Sequence, residues 1–457
     1  MTARPVACDL LISNATLLTG PGEDIRAPGA LAVKDGIILA AGPEARLLAD
    51  YRAARRHDAE GGLVHAGFID AHLHVTQHTA RSVLPLMAGK PVTMGHWKAE
   101  LRPEDEYAST ALAGIELLKC GHTGFVDPGT AFEPDAVAAA AEAVGIRSWL
   151  TDPYVADRPG FLAERIPAFF SPGFLARWPK DPADALARIG GQLHRNREPA
   201  TLARGYIGIY GEGTDSLDLH AAALEMARKK DVPFQKHLGY APSVYRDLER
   251  ELGQPLLEAL AARGLIDRRV TFIHMNRLGD RDIALLADHG VRLVWCPGGQ
   301  LAMIGEGGAR GRMASAHRAG VPIGIASDIA RGFNFDGLGS LAYLTGKAAG
   351  DPITAEEVFA MRSLGAAASI GAEAELGSLE AGKRADVVIR RPQSAEGFGM
   401  DVYLEQIVTA GRESIDCVFV AGRCVLKDGR PTEVDEAEIV AWAHESARAI
   451  AARIGLA

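Results

Sequence analysis

Nothing in the chain approaches the roughly 18–20 consecutive apolar residues that a membrane span needs. The N-terminal stretch MTARPVACDLLISNATLL has a single arginine and no continuous apolar core, so it lacks a signal-peptide layout. Cysteine is scarce: five residues, Cys8, Cys120, Cys296, Cys417 and Cys424, with no C-x-x-C. An odd, dispersed set fits reduced thiols in a cytoplasm and excludes a disulfide framework. There is no basic tract and the net charge is −9, which argues against nucleic acid as a partner. Low-complexity segments and short internal repeats are absent too. What remains is an ordinary soluble composition, 47% apolar and 23% charged, over 457 residues, enough for one large domain and a smaller one.

Residues 8–64 read as short strands broken by Gly, Asn and Asp, with a hairpin signal at KDG, 34–36. From residue 65 onward, short apolar runs alternate with helical stretches. The runs lie at 64–72, 122–127, 146–151, 204–210, 232–237, 269–274, 291–296 and 322–328, eight in all. Among the helices, PEDEYASTALAGIELLKCG carries a stripe of Tyr107, Leu112, Ile115 and Leu118, and DRDIALLADHG is closed by Gly290. Eight strand–helix units predict an α/β chain built on a (β/α)8 TIM-like barrel over residues 65–376. A doubly wound open sheet is the rival, but no glycine-rich nucleotide fingerprint opens any of the helices. TAEEVFAMRSLGAAASIG, 354–371, reads as one helix with a Thr354–Glu357 capping box. Strand-like runs return at 377–390 and 415–429, where KDG recurs. Neither 1–64 nor 377–430 closes a core alone, so the two are expected to pair into one small β-sandwich domain. A C-terminal helix, within 431–457, ends the chain.

The stretch HAGFIDAHLHVTQHTARSVL, 65–84, raises the functional question. Side chains two apart on a strand point to one face, so His72 and His74 project together at a strand end. The barrel reading puts His237 at the end of strand 5, His274 at the end of strand 6 and Asp328 at the end of strand 8. That rim carries the chemistry in such barrels, and imidazole is the commonest protein ligand of transition metals. Four His and one Asp on one rim predict a metal site.

The chain resembles the amidohydrolase superfamily, in the branch of aminohydrolases and chlorohydrolases that includes cytosine, guanine and adenosylhomocysteine deaminases and triazine hydrolases. The resemblance rests on GFIDAHLH, on the positions of His237, His274 and Asp328, and on the returning tail GSLEAGKRADVVI. It implies one divalent transition metal, zinc first, with iron, manganese or cobalt as alternatives. The implied ligands are His72, His74, His237 and Asp328, with His274 close to the metal or its water. It also implies a homo-oligomer acting on a small molecule. A bound divalent ion pulls the pKa of water from about 16 towards 7. Asp328 would accept that water's proton, and His274 would polarise the substrate.

Two departures bear on the reaction. The family's deaminases carry H-x-x-E after strand 5; here the motif is HLGY, which puts Tyr240 where the glutamate would be. A phenol with a pKa near 10 shuttles protons poorly at neutral pH. WCPGGQ, 295–300, stands where those enzymes have P-x-S-N. Both favour hydrolysis of an amide, urea, carbamate or cyclic amide C–N bond, with deamination of an amino-heterocycle as the alternative and a non-catalytic scaffold as a remote one. Glu212, in YGEGTD, is a candidate acid–base group, substrate contact or second-metal ligand, against the plainer reading of a solvated loop carboxylate. Gln77, His78 and Gln300 are candidate substrate contacts, and Trp295 and Tyr240 candidate walls for a ring or alkyl group. His65 and His122 begin strands and read as structural, Asp127 as the cap of DPGT, and Cys296 as a small buried residue.

Overall fold

The computed structural model describes residues 4–23, 25–198, 200–303, 311–329, 335–396 and 401–456. The extreme ends of the expected domain ranges, 1–3 and 457, and the residues 330–332 that follow Ile329 lie outside the described residues. In chain order the first five strands are β1 (Val6–Leu17), β2 (Arg26–Lys34), β3 (Ile37–Pro43), β4 (Tyr51–Asp58) and β5 (Leu63–Ala66). Nine more form the barrel: β6 (Phe68–Asp70), β7 (His122–Val126), β8 (Arg147–Leu150), β9 (Ala203–Gly205), β10 (Ile207–Gly211), β11 (Phe234–Leu238), β12 (Val270–His274), β13 (Arg292–Trp295) and β14 (Ile323–Ile325). The last four are β15 (Val387–Arg390), β16 (Ile415–Val420), β17 (Arg423–Lys427) and β18 (Arg430–Pro431).

The two ends of the chain share one sheet, in the order β18-β17-β16-β15-β5-β1-β2-β3, with β4 also on β1. The joint is β5, parallel to β1 at Thr16↔Leu63 and antiparallel to β15 at Val388↔His65. Both KDG turns take the left-handed conformation that a two-residue hairpin requires, Asp35 and Gly36 at φ 51° and 74°, Asp428 and Gly429 at 51° and 73°. Leu10, Ile12, Leu31, Val64, Ile389 and Phe419 fill the core between these strands.

The barrel strands run parallel in two arcs, β6-β7-β8-β9 and β10-β11-β12-β13-β14. One residue, Tyr206, separates β9 from β10. Its N–H donates to Leu150 on one side, and that of Ile207 donates to Pro233 on the other, so both pieces serve one strand position. The ring closes where Ala71 N–H reaches Ile325 O and where Leu73 bridges Asp328. The eight expected strand positions are therefore present.

Three expectations change. The run 64–72 is two strands, because Gly67 turns the chain from one sheet into the other. A Cβ there would lie 2.2 Å from Thr123 Cγ2, so only glycine fits, and the small sheet ends at Ala66 instead of residue 64. The helix over 354–371 is two, Ala355–Arg362 and Leu364–Ser369, broken at Ser363. The break lets Gly365 pack on the Ile323 carbonyl, where a Cβ would come within 2.1 Å. The capping box holds, with Thr354 N–H on Glu357 Oε2 at 2.8 Å and Glu357 N–H on Thr354 Oγ1 at 3.1 Å. Of 377–390 only β15 is strand. The final helix, Glu436–Arg453, lies on the helix Pro103–Lys119, where Ser446 and Arg453 both donate to Asp105.

Candidate active site

Strand 1 and strand 8 are zipped together beyond their regular ends. Asp328 N–H donates to His72 O at 2.9 Å and His74 N–H to Asp328 O at 3.1 Å. Beneath them Asp70 is buried and accepts from the N–H groups of Ser327 at 3.1 Å and His72 at 3.3 Å; burial pushes its carboxyl up to about 7. This brings His72 Nε2 and His74 Nε2 to 3.2 Å from each other, and to 3.7 Å and 3.2 Å from Asp328 Oδ1.

His237 joins them from β11. Its Nδ1 bonds to the Tyr210 carbonyl at 2.6 Å, which fixes the tautomer and leaves Nε2 as a buried lone pair with no hydrogen-bond partner among the described residues. The ligating atoms of His72, His74 and His237 all lie within 4.8 Å of one another. Burial, then the neighbouring imidazoles, hold His72 and His237 well below the usual histidine range, so both are neutral and ready to donate. His274 stands beside the group, its ring centroid 5.5 Å from that of His237 and 5.6 Å from that of His72. Three converging imidazoles and a carboxylate at van der Waals range fit one divalent transition ion. Backbone strain concentrates on the same rim: Glu212, His274 and Asp328 sit at φ 51°, 83° and 66°.

A narrow cleft opens above these groups. His74, His237, His274 and Asp328 form its floor, Gln77, Glu212 and Tyr240 its polar wall, and Leu162, Ile166, Phe169, Phe170 and Ile329 its apolar wall. Glu212 is not the solvated loop carboxylate of the plainer reading. It is buried; Oε2 accepts from Tyr240 N–H at 3.1 Å and Oε1 from Ala241 N–H at 3.0 Å. Burial raises its carboxyl to about 7 against the pull of those bonds. Gln77 also contacts His74 Nδ1 through Nε2 at 3.4 Å, and the Tyr240 ring lies 4.9 Å from that of His274.

Three expected contacts lie elsewhere. Trp295 is buried with its Nε1–H on Gln300 Oε1 at 2.7 Å, so the two satisfy each other behind the cleft. Their segment meets the site through Gly299, where a Cβ would stand 3.2 Å from Asp328 Oδ2. His78 is turned away, stacked on Phe335 and 3.4 Å from Glu116 Oε2, because the Glu116–Arg81 pair gives its ring a partner inside the helix layer. His65 accepts from the Arg390 guanidinium in the small sheet, and Asp127 Oδ1 takes the N–H groups of Gly129, Thr130 and Ala131. Sequence reasoning missed Asp70, Lys98 and the apolar wall. The wall had a signal, the aromatic and proline-rich stretch FLAERIPAFFSPGF in the long segment between strands 3 and 4.

A site of converging imidazoles and a carboxylate at the C-terminal mouth of a (β/α)8 barrel defines a metal-dependent hydrolase. The chain belongs to the amidohydrolase family, whose model matches residues 63–425, and it is an enzyme that hydrolyses C–N bonds other than peptide bonds. It is 30% identical to the 5-methylthioadenosine/S-adenosylhomocysteine deaminase of Desulforudis audaxviator over 96% of this chain and 98% of the relative. It is also 30% identical, with the same coverage, to the protein of that name from Symbiobacterium thermophilum. In fold it is similar to an adenosine deaminase from Xanthomonas campestris with bound zinc, with a TM-score of 0.82 at 24% identity over 98% of this chain and 100% of that one. It is likewise similar to an atrazine chlorohydrolase from Arthrobacter aurescens complexed with zinc, with a TM-score of 0.80 at 24% identity over 96% and 100%. No helix among the described residues is long and apolar enough to cross a membrane.

Proposed function

We propose that this enzyme is a zinc-dependent aminohydrolase that replaces the exocyclic amine of a small N-heterocycle by oxygen, consuming water and releasing ammonia. One observation carries the choice of reaction: a second carboxyl, Glu212, is buried in the wall of the cleft that holds His74, His237, His274 and Asp328. His72, His74, His237 and Asp328 would hold the ion, which when bound supplies positive charge that acidifies a water and favours a developing oxyanion. Asp328 accepts the proton of the attacking water and passes it to the departing amine, which leaves as ammonia, and the added hydroxyl returns its proton to Glu212 as the carbonyl forms. Glu212, held on the backbone of Tyr240 and Ala241, gives a proton to the substrate nitrogen, the task that the sequence leaves vacant at Tyr240. His274 hydrogen-bonds the reacting end, and Tyr240 packs against it. Leu162, Ile166 and Phe170 exclude water from the ring. The deaminase names of the whole-length relatives support the same reaction.

The second reading, cleavage of an amide-like bond, is favoured by the phenol at the H-x-x-E position and needs no ring protonation. A panel of amino-purines, amino-pyrimidines, amino-triazines, amides, ureas and carbamates separates the two, with ammonia read apart from organic amine. Turnover of the amides or carbamates alone would overturn the proposal. The dispersed cysteines support a cytoplasmic enzyme, and family habit alone supports a homo-oligomer.

A further inference from the structure

The small sheet gathers a second set of metal-ligating side chains, on strands that do not line the cleft. His57 stands near the end of β4, paired with Ile12 of β1, and its ring meets Phe419 of β16 edge-on at 5.7 Å between centroids. Its Nε2 is buried and has no hydrogen-bond partner among the described residues. Asp416 Oδ2 stands 3.9 Å from that atom.

A β-bulge brings the carboxylate there. Ile389 of β15 faces Cys417, but the next residue, Arg390, faces Ile415, so Asp416 is an extra residue in β16. A regular strand sends adjacent side chains to opposite faces, and a bulge re-aims one of them. Asp416 and Cys417 meet as a result, with Cys417 Sγ 3.5 Å from Asp416 Oδ2. The ligating atoms of His57, Asp416 and Cys417 all lie within 4.8 Å of one another. Cys424 of β17 faces Phe419 and therefore shares the face of Cys417, two residues away. Its sulfur is in hydrogen-bond contact with the Cys417 thiol.

One imidazole, one carboxylate and two sulfurs make a tetrahedral donor set of the kind zinc takes, and thiolates select against magnesium and calcium. Bonds of about 2.0–2.3 Å to one ion place its ligating atoms roughly 3.3–3.8 Å apart, close to the separations found here. Arg391 approaches the other carboxylate oxygen, Oδ1, at 3.8 Å and leaves Oδ2 to the group. Its charge, with those of Lys427 and Arg55 near Cys424, weakens the hold on a cation. His57, Asp416 and Cys424 are also half-exposed.

We propose that His57, Asp416, Cys417 and Cys424 form a second, exchangeable site for a thiophilic divalent ion, zinc in kind, that clips β4 to the hairpin β16–β17. The ion ties the first segment of the chain to the last. Both thiols give their protons to the medium when it binds, and nothing is oxidised. Desalting removes this ion, so the purified chain keeps only the one in the cleft.

The test titrates fully reduced enzyme, its cleft ion in place, with Co²⁺ in buffer free of chelators. One further equivalent should bind by equilibrium dialysis, with a sulfur-to-cobalt charge-transfer absorption that excess Zn²⁺ removes. The same absorption should appear in the His72→Ala/His74→Ala variant, which separates it from the cleft. Cys417→Ser, Cys424→Ser and His57→Gln should each weaken binding by about 10²-fold, since each removes one of four ligands. Turnover at the cleft should stay at the parent level in all three, which also reports that they fold. No further equivalent in the parent, or one that binds without sulfur absorption, overturns the proposal and needs no variant. Sulfur absorption that survives Cys417→Ser and Cys424→Ser together places the ion on another thiol and overturns it as well.

Discussion

Replacing Glu212 by Gln separates a proton-donating carboxyl from one that merely braces a loop. In the parent both oxygens accept backbone N–H groups, at 3.1 and 3.0 Å. The amide keeps one acceptor and turns an NH2 towards the other N–H, a loss of about 1.5–3 kcal/mol for a hydrogen bond to a charged group. Against this, burial raises the carboxyl from 4.5 to about 7, so the folded state disfavours the anion. A rise of about 2.5 pH units corresponds to about 3.4 kcal/mol at 1.36 kcal/mol per unit. The sign follows: stability is full below the ordinary pKa and falls as pH rises from about 4.5 to 7, and Glu212→Gln removes that slope. The two effects nearly offset at neutral pH, so the variant should fold with a melting temperature within a few degrees of the parent. Activity should not survive so well. Loss of a positioned acid costs about 10²–10⁴-fold, or about 2.7–5.4 kcal/mol of barrier. Initial rates of ammonia release, elemental analysis and thermal melts at pH 5 and 7.5 measure all three. A variant that holds its metal and stays within tenfold of the parent refutes the reasoning and returns the proton to another group.

The other expectations concern the ion, its base and the helix layer. The purified protein should hold about one divalent ion per chain, and a His72→Ala/His74→Ala double variant none; two ions, or equal metal in both proteins, would break the assignment of ligands. Asp328→Asn should retain metal and fold yet lose about 10²–10⁴-fold in turnover, because an amide cannot accept a proton at neutral pH; a loss under tenfold would move the base elsewhere. Tyr240→Phe should cost less than tenfold, and complete inactivity would make its hydroxyl a proton donor. Hydrogen bonds from Arg81 and His78 outweigh burial and hold the Glu116 carboxyl well below the usual range, so its stabilisation is present above about pH 4.5 and lost as pH falls further. Glu116→Gln should therefore cost about 1–2 kcal/mol at pH 7 and less at pH 4; a difference that does not shrink in urea titrations at the two pH values would disprove the pairing.

What could be read from the sequence followed from local periodicity. His72 and His74 announce one face of one strand, and His237, His274 and Asp328 follow once eight strands are counted, because a closed barrel brings every strand end to one rim. Glu212 could not be read in the same way. Its burial depends on N–H groups at 240 and 241, in the loop after the next strand, and one-dimensional spacing does not record that contact. Trp295 and Gln300 misled for the converse reason: five residues apart, they are close enough to bond each other and withdraw from the cleft. His78 was claimed by Glu116 on a helix that lies outside its motif. Lys98 sits in a short helix with no barrel periodicity, held by contacts such as the backbone clamp from Arg177 that no local spacing records. The break at Ser363 was hidden because the residues on both sides are good helix formers; packing on β14 overrides their propensity.

The position of β5 has a consequence for how the molecule comes into being. Its two neighbours are β1, made just before it, and β15, made only after the whole barrel. At 5–20 residues per second, the newborn first sheet waits on the order of tens of seconds with one edge open. Only when Val387–Arg390 emerges does that edge gain its partner and His65 meet Arg390. The tail therefore acts as a latch drawn last. A nascent chain arrested before it carries every barrel strand, and with them every histidine of the rim, yet leaves the β15 side of β5 without its partner strand.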